Sequence, residues 1–312
     1  MPERGQNITV VSPVYNEQDN VIALVDELNA VFEPLPYNLT ILLVNDGSRE
    51  PTTRILDELA TTRSNVGVVH LSRNFGHQAA LTAGLEVAAG DAVVSMDSDL
   101  QHPPKVVPEL IAHWEAGADV VHSVRGGVQE GWFKQLSSRW YYRLMRAISP
   151  TPVIPRAADF RLLDRKVVEV FRAMPERARF LRGMSVWVGF PSAEVPFVVQ
   201  DRRAGTTKYT LRKMVKLALD GLVSLSSLPL HIAFYVGTLV TLVSLVYLLY
   251  VLGVFFFTDA AQPGWSSLMA AVLLLSGVQI NLMGVIGLYL GRIYDEVRGR
   301  PTYIIARTVG KA

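Results

Sequence analysis

Ala92-Val-Val-Ser-Met-Asp-Ser-Asp-Leu-Gln101, followed at once by His102-Pro103-Pro104, decides how the first part of this chain folds. Ala92–Met96 is an apolar run of strand length, set off upstream by Gly90 and downstream by carboxylates. Pro103 and Pro104 suit the first turn of a helix running to Trp114. Working outward, the same alternation repeats. Gln78–Ala89 reads as helix, Val66–Leu71 as strand, Pro51–Thr62 as helix and Thr40–Val44 as strand. Gln18–Phe32 is helical, with Val21, Leu24, Val25 and Leu28 on one face, and Ile8–Val14 is a strand rich in β-branched residues. Downstream, Asp119–Val124 is a fifth strand. Strands and helices alternating at this spacing predict an α/β domain whose mostly parallel sheet is covered on both faces. Ligands of such sheets sit at the carboxyl ends of the strands.

Polar clusters fall at those ends. The first strand runs into Pro13-Val14-Tyr15-Asn16-Glu17, the second into Asn45-Asp46-Gly47-Ser48, and the fourth into Asp97-Ser98-Asp99-Leu100-Gln101. The Asn45–Ser48 cluster on its own is equally a turn and helix cap. Asp97 and Asp99, two apart at a strand end, can aim both carboxylates at one ion, with the Gln101 carbonyl close by. Hard oxygen ligands suit Mg²⁺ or Mn²⁺, which commonly bridge carboxylates to a diphosphate. Neither a G-x-x-x-x-G-K-[ST] loop nor a G-x-G-x-x-G turn after the first strand is present. A nucleoside diphosphate is therefore expected to be held through a metal rather than a glycine loop. G-x-S-x-G and H-E-x-x-H are also missing.

Composition excludes other classes. Half of the 312 residues are hydrophobic and 19% are charged, which rules out a disordered chain. With no cysteine there is no disulfide, zinc–thiolate site or thiol nucleophile. Charge balances to zero over residues 1–228, so no basic face announces nucleic acid as a partner. MPERGQ at the start lacks the apolar stretch of a signal peptide, so the first domain is expected to stay in the cytosol.

The second part of the chain reads as membrane. Residues 231–257 and 267–290 are free of formal charge, and TDAAQPGW joins them. Both are long enough for a ~30 Å hydrocarbon core. Arg202, Arg203, Lys208, Arg212, Lys213 and Lys216 precede the first run; Arg292, Arg298, Arg300, Arg307 and Lys311 follow the second; the loop between has no basic residue. The positive-inside rule puts both termini in the cytoplasm. Leu211, Met214, Val215, Ala218 and Leu222 form an apolar stripe in 209–228, read as an interfacial helix. Gln279 and Asn281 are expected to pair helix to helix. The expected organisation is a cytosolic domain over 1–208, an interfacial helix over 209–228, a transmembrane hairpin within 229–291 and a basic cytoplasmic tail over 292–312. That makes a multi-pass protein of the inner (plasma) membrane. Gly277, Gly284, Gly287 and Gly291 offer close-packing faces, which suit a homo-oligomer.

P-V-Y-N-E, V-N-D-G-S, L-S-R-N-F-G and D-S-D-L-Q, in this order, resemble the inverting glycosyltransferases of family 2, whose domain is the Rossmann-like GT-A fold. Ala158–Asp164 (ADFRLLD), Asp201–Lys208 (DRRAGTTK) and Gly287–Tyr294 extend the resemblance to the polyisoprenyl-phosphate glycosyltransferases. That group includes bactoprenol glucosyltransferases, dolichol-phosphate mannose synthases and undecaprenyl-phosphate aminoarabinose transferases. The resemblance implies transfer of a sugar from a nucleotide-diphosphate sugar, UDP-glucose or similar, to a polyprenyl phosphate at the cytoplasmic membrane face. It implies Pro13, Tyr15, Glu17, Val44 and Asp46 around base and ribose, and Asp97 and Ser98 near ribose and diphosphate. Asp99 and Gln101, with Asp97, would hold the metal, and Arg125, Arg202 and Lys208 would face phosphates. Asp99, Asp159, Arg125 and Lys208 are the expected catalytic residues. Asp159 is either a base, a group that orients the sugar, or a cap on the following helix. Ser98 departs from the alanine common in relatives. A processive polysaccharide synthase is an alternative, although Gln135-Leu-Ser-Ser-Arg139-Trp140 is one residue too long for its Q-x-x-R-W motif. A nucleotide-sugar sensor without catalysis is another, and the Asp97/Asp99 pair argues against it.

Overall fold

The computed structural model describes residues 5–126, 154, 157–177, 179–198, 264–311 and isolated positions between 235 and 246. It divides into two units, one holding the alternating elements with residues 301–312, the other residues 148–150 and 209–300.

In the first unit β1 (Asn7–Val14), β2 (Asn38–Asn45), β3 (Val66–Leu71) and β4 (Ala92–Ser95) are the four strands expected up to Gln101. β5 (Val120–Arg125), β6 (Ala157–Asp164), β7 (Ser192–Phe197) and β8 (Ile305–Gly310) complete one sheet in the order β7-β5-β6-β4-β1-β2-β3-β8. β1, β2, β3 and β4 are parallel, and β7 is parallel to β5. β6 runs against β4 and β5, and β8 against β3. Residues 305–310 of the expected basic tail therefore extend the sheet.

One face carries α1 (Val21–Phe32), α2 (Thr52–Thr62) and α4 (Val107–Glu115), whose Leu24, Leu28, Leu56, Leu110 and Trp114 pack on Ile8, Val10 and Ile41. The other carries α3 (His77–Val87), α5 (Arg165–Ala173) and α6 (Leu181–Trp187) over Val11, Leu42, Val44 and Val93. Buried on both sides, β3 reads as a continuous apolar run apart from Gly67 and His70, as parallel interior strands do. α3 lies so close to the sheet that a Cβ on Gly84 would fall 2.2 Å from Val11 Cγ1 and 3.0 Å from Val44 Cγ2. Pro103 and Pro104 do not open an α-helix directly. Pro104–Val106 is a 3-10 turn, and α4 begins at Val107 with Pro108 in its first turn.

The second unit is dominated by α7 (Trp265–Val297), 33 residues long. Its Leu268, Val272, Ile280, Met283, Ile286 and Leu290 are exposed. Tyr235 and residues 237–240, 242, 243 and 246 are helical too, and a Cβ on Gly237 would lie 3.2 Å from Leu282 Cδ1. Counted over the described residues alone, no helix is long and apolar enough to cross a membrane. The side chains of residues 265–267, 269, 270, 273 and 274 in α7 fall outside that description. The Asn281 amide donates to the Gly277 carbonyl of its own turn at 2.9 Å; most of residues 231–257, where a pairing partner was expected, lies outside the described residues. Among the described residues no atom lies within 4 Å of a Cβ built on Gly277, Gly284, Gly287 or Gly291. The 209–228 helix lies outside the described residues.

Candidate active site

The expected clusters meet at the rim formed by the carboxyl ends of β1, β2 and β4 and the amino end of β6. Ser98 is buried, and its hydroxyl donates to the Pro13 carbonyl at 2.9 Å, fastening the ends of β4 and β1 together. Tyr15 is half-exposed on the loop beyond. Glu17 accepts from the Asn20 side chain at 2.7 Å and so shapes the entry to α1. Val44 is fully buried, its side chain in the core against α3 rather than on the rim.

Asp46 is also buried, yet both carboxylate oxygens are used: Phe75 N donates at 2.7 Å and Gly76 N at 3.0 Å. Burial raises its pKa against the pull of these two amides. Asp46 therefore braces the L-S-R-N-F-G loop, and any ligand contact comes in addition. Gly47, at φ +68°, fits beneath that loop because it has no Cβ; one would fall 2.4 Å from Asn74 N.

β4 delivers Asp97 and Asp99. The Asp97 amide donates to His102 Nδ1 at 3.1 Å, and the ring stacks on Phe160 with centroids 5.2 Å apart. Burial holds His102 below its ordinary pKa, so the neutral ring braces the backbone of Asp97. Asp99 Oδ1 accepts from Gln101 N at 3.1 Å across Leu100, which sits at φ 61°. A left-handed leucine is strained, as backbones at functional sites often are. Asp97 Oδ1 is buried without a hydrogen-bond partner, 3.5 Å from His77 Nε2. Among the described residues no group of three or more His, Asp or Glu is gathered as a ready metal cage. Two carboxylates, one with an oxygen that makes no hydrogen bond among the described residues, fit a hard ion that takes its other ligands from phosphate and water.

Facing them, Asp159 is the hub of a cationic cluster. Its Oδ1 accepts from Arg161 at 2.5 Å, its Oδ2 from Arg182 at 2.9 Å, and His77 Nε2 lies 3.7 Å away. Burial alone would raise the Asp159 pKa; His77 and the two guanidiniums overcome it and hold the carboxyl far below the usual range. So strongly ionised and so fully paired, Asp159 is a poor proton acceptor and a firm anchor for Arg182. It caps no helix: α5 is capped by Asp164, whose side chain accepts from Lys166 N at 3.0 Å. His77, Arg161 and Arg182 carried no role in the sequence reading. Arg161 lies within the A-D-F-R-L segment, but no motif marks the other two.

Arg125 ends β5 exposed on the same rim, near enough to influence His102 electrostatically. Arg202 and Lys208 lie outside the described residues, as does Gln135–Trp140. A cavity of about 170 Å³ opens at the other ends of the strands, lined by Asn7, Thr9, Leu42, Gly90 and Lys311 among others. Its lining has no carboxylate or imidazole, unlike the rim with Asp97.

A profile of glycosyl transferase family 2 matches residues 9–171. The sequence is 41% identical over 303 residues to an uncharacterized glycosyltransferase, YkcC, of Bacillus subtilis (strain 168), covering 97% of this chain and 94% of the relative. It is 38% identical over 303 residues to the bactoprenol glucosyl transferase of Shigella phage SfII, covering 96% of this chain and 98% of the relative. Among solved structures, mannosyl-3-phosphoglycerate synthase from Rubrobacter xylanophilus aligns with a TM-score of 0.47 at 18% identity, over 69% of this chain and 71% of that one.

Proposed function

The chain belongs to glycosyl transferase family 2 and is a glycosyltransferase, and from that premise we propose that it moves a sugar from a nucleotide-diphosphate sugar to a polyprenyl phosphate at the membrane surface. The observation that carries the donor half is the pair Asp97 and Asp99 at the end of β4, with buried Asp97 Oδ1 facing His77 Nε2 at 3.5 Å, opposite the Arg182–Asp159–Arg161 cluster. The acceptor half is supported by the full-length relative named for bactoprenol, and by the uncharged runs 231–257 and 267–290. At about 1.5 Å per residue, α7 would be roughly 50 Å long, with apolar side chains exposed along its length. Such a helix is stable in lipid and costly in water.

A phosphate oxygen of the acceptor attacks the anomeric carbon, the bond from that carbon to the nucleoside diphosphate breaks, and the configuration inverts. The acceptor oxygen is already anionic, so no strong general base is needed. This agrees with an Asp159 too tightly paired to act as one. Asp97 and Asp99 would hold Mg²⁺ or Mn²⁺, which when bound neutralises the charge on the departing diphosphate. Arg182 keeps N–H groups beyond those given to Asp159 and is placed to hold an anion or a sugar hydroxyl. Arg125, Arg202 and Lys208 remain the proposed phosphate contacts. Catalysis then rests on position and on charge gathered before the reaction begins.

Mass spectrometry of undecaprenyl phosphate incubated with the full chain and a panel of nucleotide sugars tests this reading. It expects a lipid-phosphate sugar from at least one donor. Turnover of donors that never needs lipid, or no turnover of any donor, would sink it.

A further inference from the structure

We propose that His70 is a positioning residue for the donor: it fixes the Asn45 side chain and, through it, the turn at the end of β2 on which the nucleotide rests. The inference builds on the donor reading above. It concerns a buried histidine for which the proposed chemistry has no use.

Asn45 ends β2 and is buried. Its Oδ1 accepts from Ser48 N at 2.8 Å, which orients the amide and turns Nδ2 toward His70 Nδ1, 2.9 Å away. An amide NH₂ can only donate, so His70 Nδ1 must be bare and the ring proton must sit on Nε2. Nε2 lies 3.0 Å from Asp57 Oδ1, which accepts it. The other oxygen of Asp57 accepts from Arg307 Nη2 of β8 at 2.6 Å. One line of hydrogen bonds thus runs from β8 through α2 and β3 to the end of β2. At the far end, Ser48 Oγ accepts from Asn16 N at 3.0 Å, and Asp46 holds Phe75 and Gly76. Two further rim loops, at Asn16 and at Phe75–Gly76, therefore depend on the turn that His70 sets.

Only the neutral ring with its proton on Nε2 fits. A second proton on Nδ1 would face the Asn45 NH₂ and push the turn away. The charged groups facing His70 are Asp57 from α2 and Arg307 from β8. Burial and Arg307 hold the ring below its ordinary pKa, against the opposing pull of Asp57. Without Arg307 the ring takes up its proton at a higher pH.

The test uses the full chain in detergent, with saturable donor and acceptor kinetics from pH 5.5 to 8.5. H70F, which keeps a ring but no nitrogen, should raise the donor KM about tenfold at pH 7.5, or ~1.4 kcal/mol. Its kcat and acceptor KM should stay within about twofold of wild type. R307A, at a half-exposed position, should move the acid limb of kcat/KM for the donor to higher pH, and R307K should restore it. An unchanged donor KM in H70F overturns the proposal. So does a parallel rise in both KM values that tracks a lower melting temperature. If H70F does not fold, an acid limb unmoved in R307A overturns it just as well. Wild type measured alongside separates the two readings. No saturable donor dependence there defeats the donor reading, whereas saturable donor dependence with unshifted variants defeats only the role of His70.

Discussion

At the scale of single residues, charge placement decides what the rim can do. Asp99→Asn keeps the shape of the side chain but removes a hard anionic ligand. The loss of several kcal/mol in leaving-group stabilisation should cut transfer more than about a hundredfold, with the melting temperature unchanged. Chelation should stop the wild type, and Mg²⁺ or Mn²⁺ should restore it. Full turnover in EDTA would refute the metal assignment. His122 supplies a second prediction, for stability. It is buried on β5, neither ring nitrogen has a hydrogen-bond partner among the described residues, and burial followed by the Arg161 charge depresses its pKa to about 4. The unfolded chain takes up that proton below about pH 6.5 while the folded chain resists it, so stability is present above about pH 6.5 and drains as pH falls toward 4. The full loss is about 3 kcal/mol. His122→Leu should remove this sensitivity, narrowing the gap between melting temperatures at pH 7.5 and pH 5. Parallel curves for the two proteins would exclude it. Asp97 and Asp99 were legible in the sequence because carboxylates directly after a strand can only sit at its end. His77, Arg182 and His70 were not, because each gains its role from partners far along the chain, His70 from residue 307.

At the scale of elements, the alternating pattern up to residue 125 was readable because interior parallel strands are apolar throughout and their helices carry one apolar face. β6, β7 and β8 escaped that reading. Two of the three run against their neighbours, and β8 comes only after the whole second unit. α4 began three residues later than the prolines implied, because a 3-10 turn absorbs them. The packing of α3 was equally hidden, since it depends on what Gly84 lacks. Gly84→Val would drive its side chain into Val11 and Val44. It should cost at least ~1–3 kcal/mol and lower the melting temperature by several degrees. Because Val44 leads directly to Asn45 and Asp46, donor affinity should weaken as well. A variant as stable as wild type would mean that α3 can lift from the sheet without loss.

At the scale of the molecule, one unit carries the rim with Asp97 and the other the long helix, and the proposed acceptor requires the latter to lie in lipid. Single cysteines are informative in a chain that has none of its own. Placed in 258–266, one should react with an impermeant maleimide added outside spheroplasts. Cysteines near residues 5 and 311 should react only after lysis. A loop at 258–266 that reacts only after lysis would refute the hairpin. β8 adds a constraint of timing. Its partner β3 ends at Leu71, and β8 begins at Ile305. At a synthesis rate of ~5–20 residues per second, the outer edge of β3 waits about 12–47 s for its neighbour. Through that interval the nascent domain shows bare backbone N–H and C=O groups, an invitation to pair with another chain. Residues 209–300 are synthesised within the same interval, so the first unit closes its sheet only after the second has been made. A ribosome that stalls between the two would leave a product with an open, adhesive edge, and quality control of this protein would have to act there first.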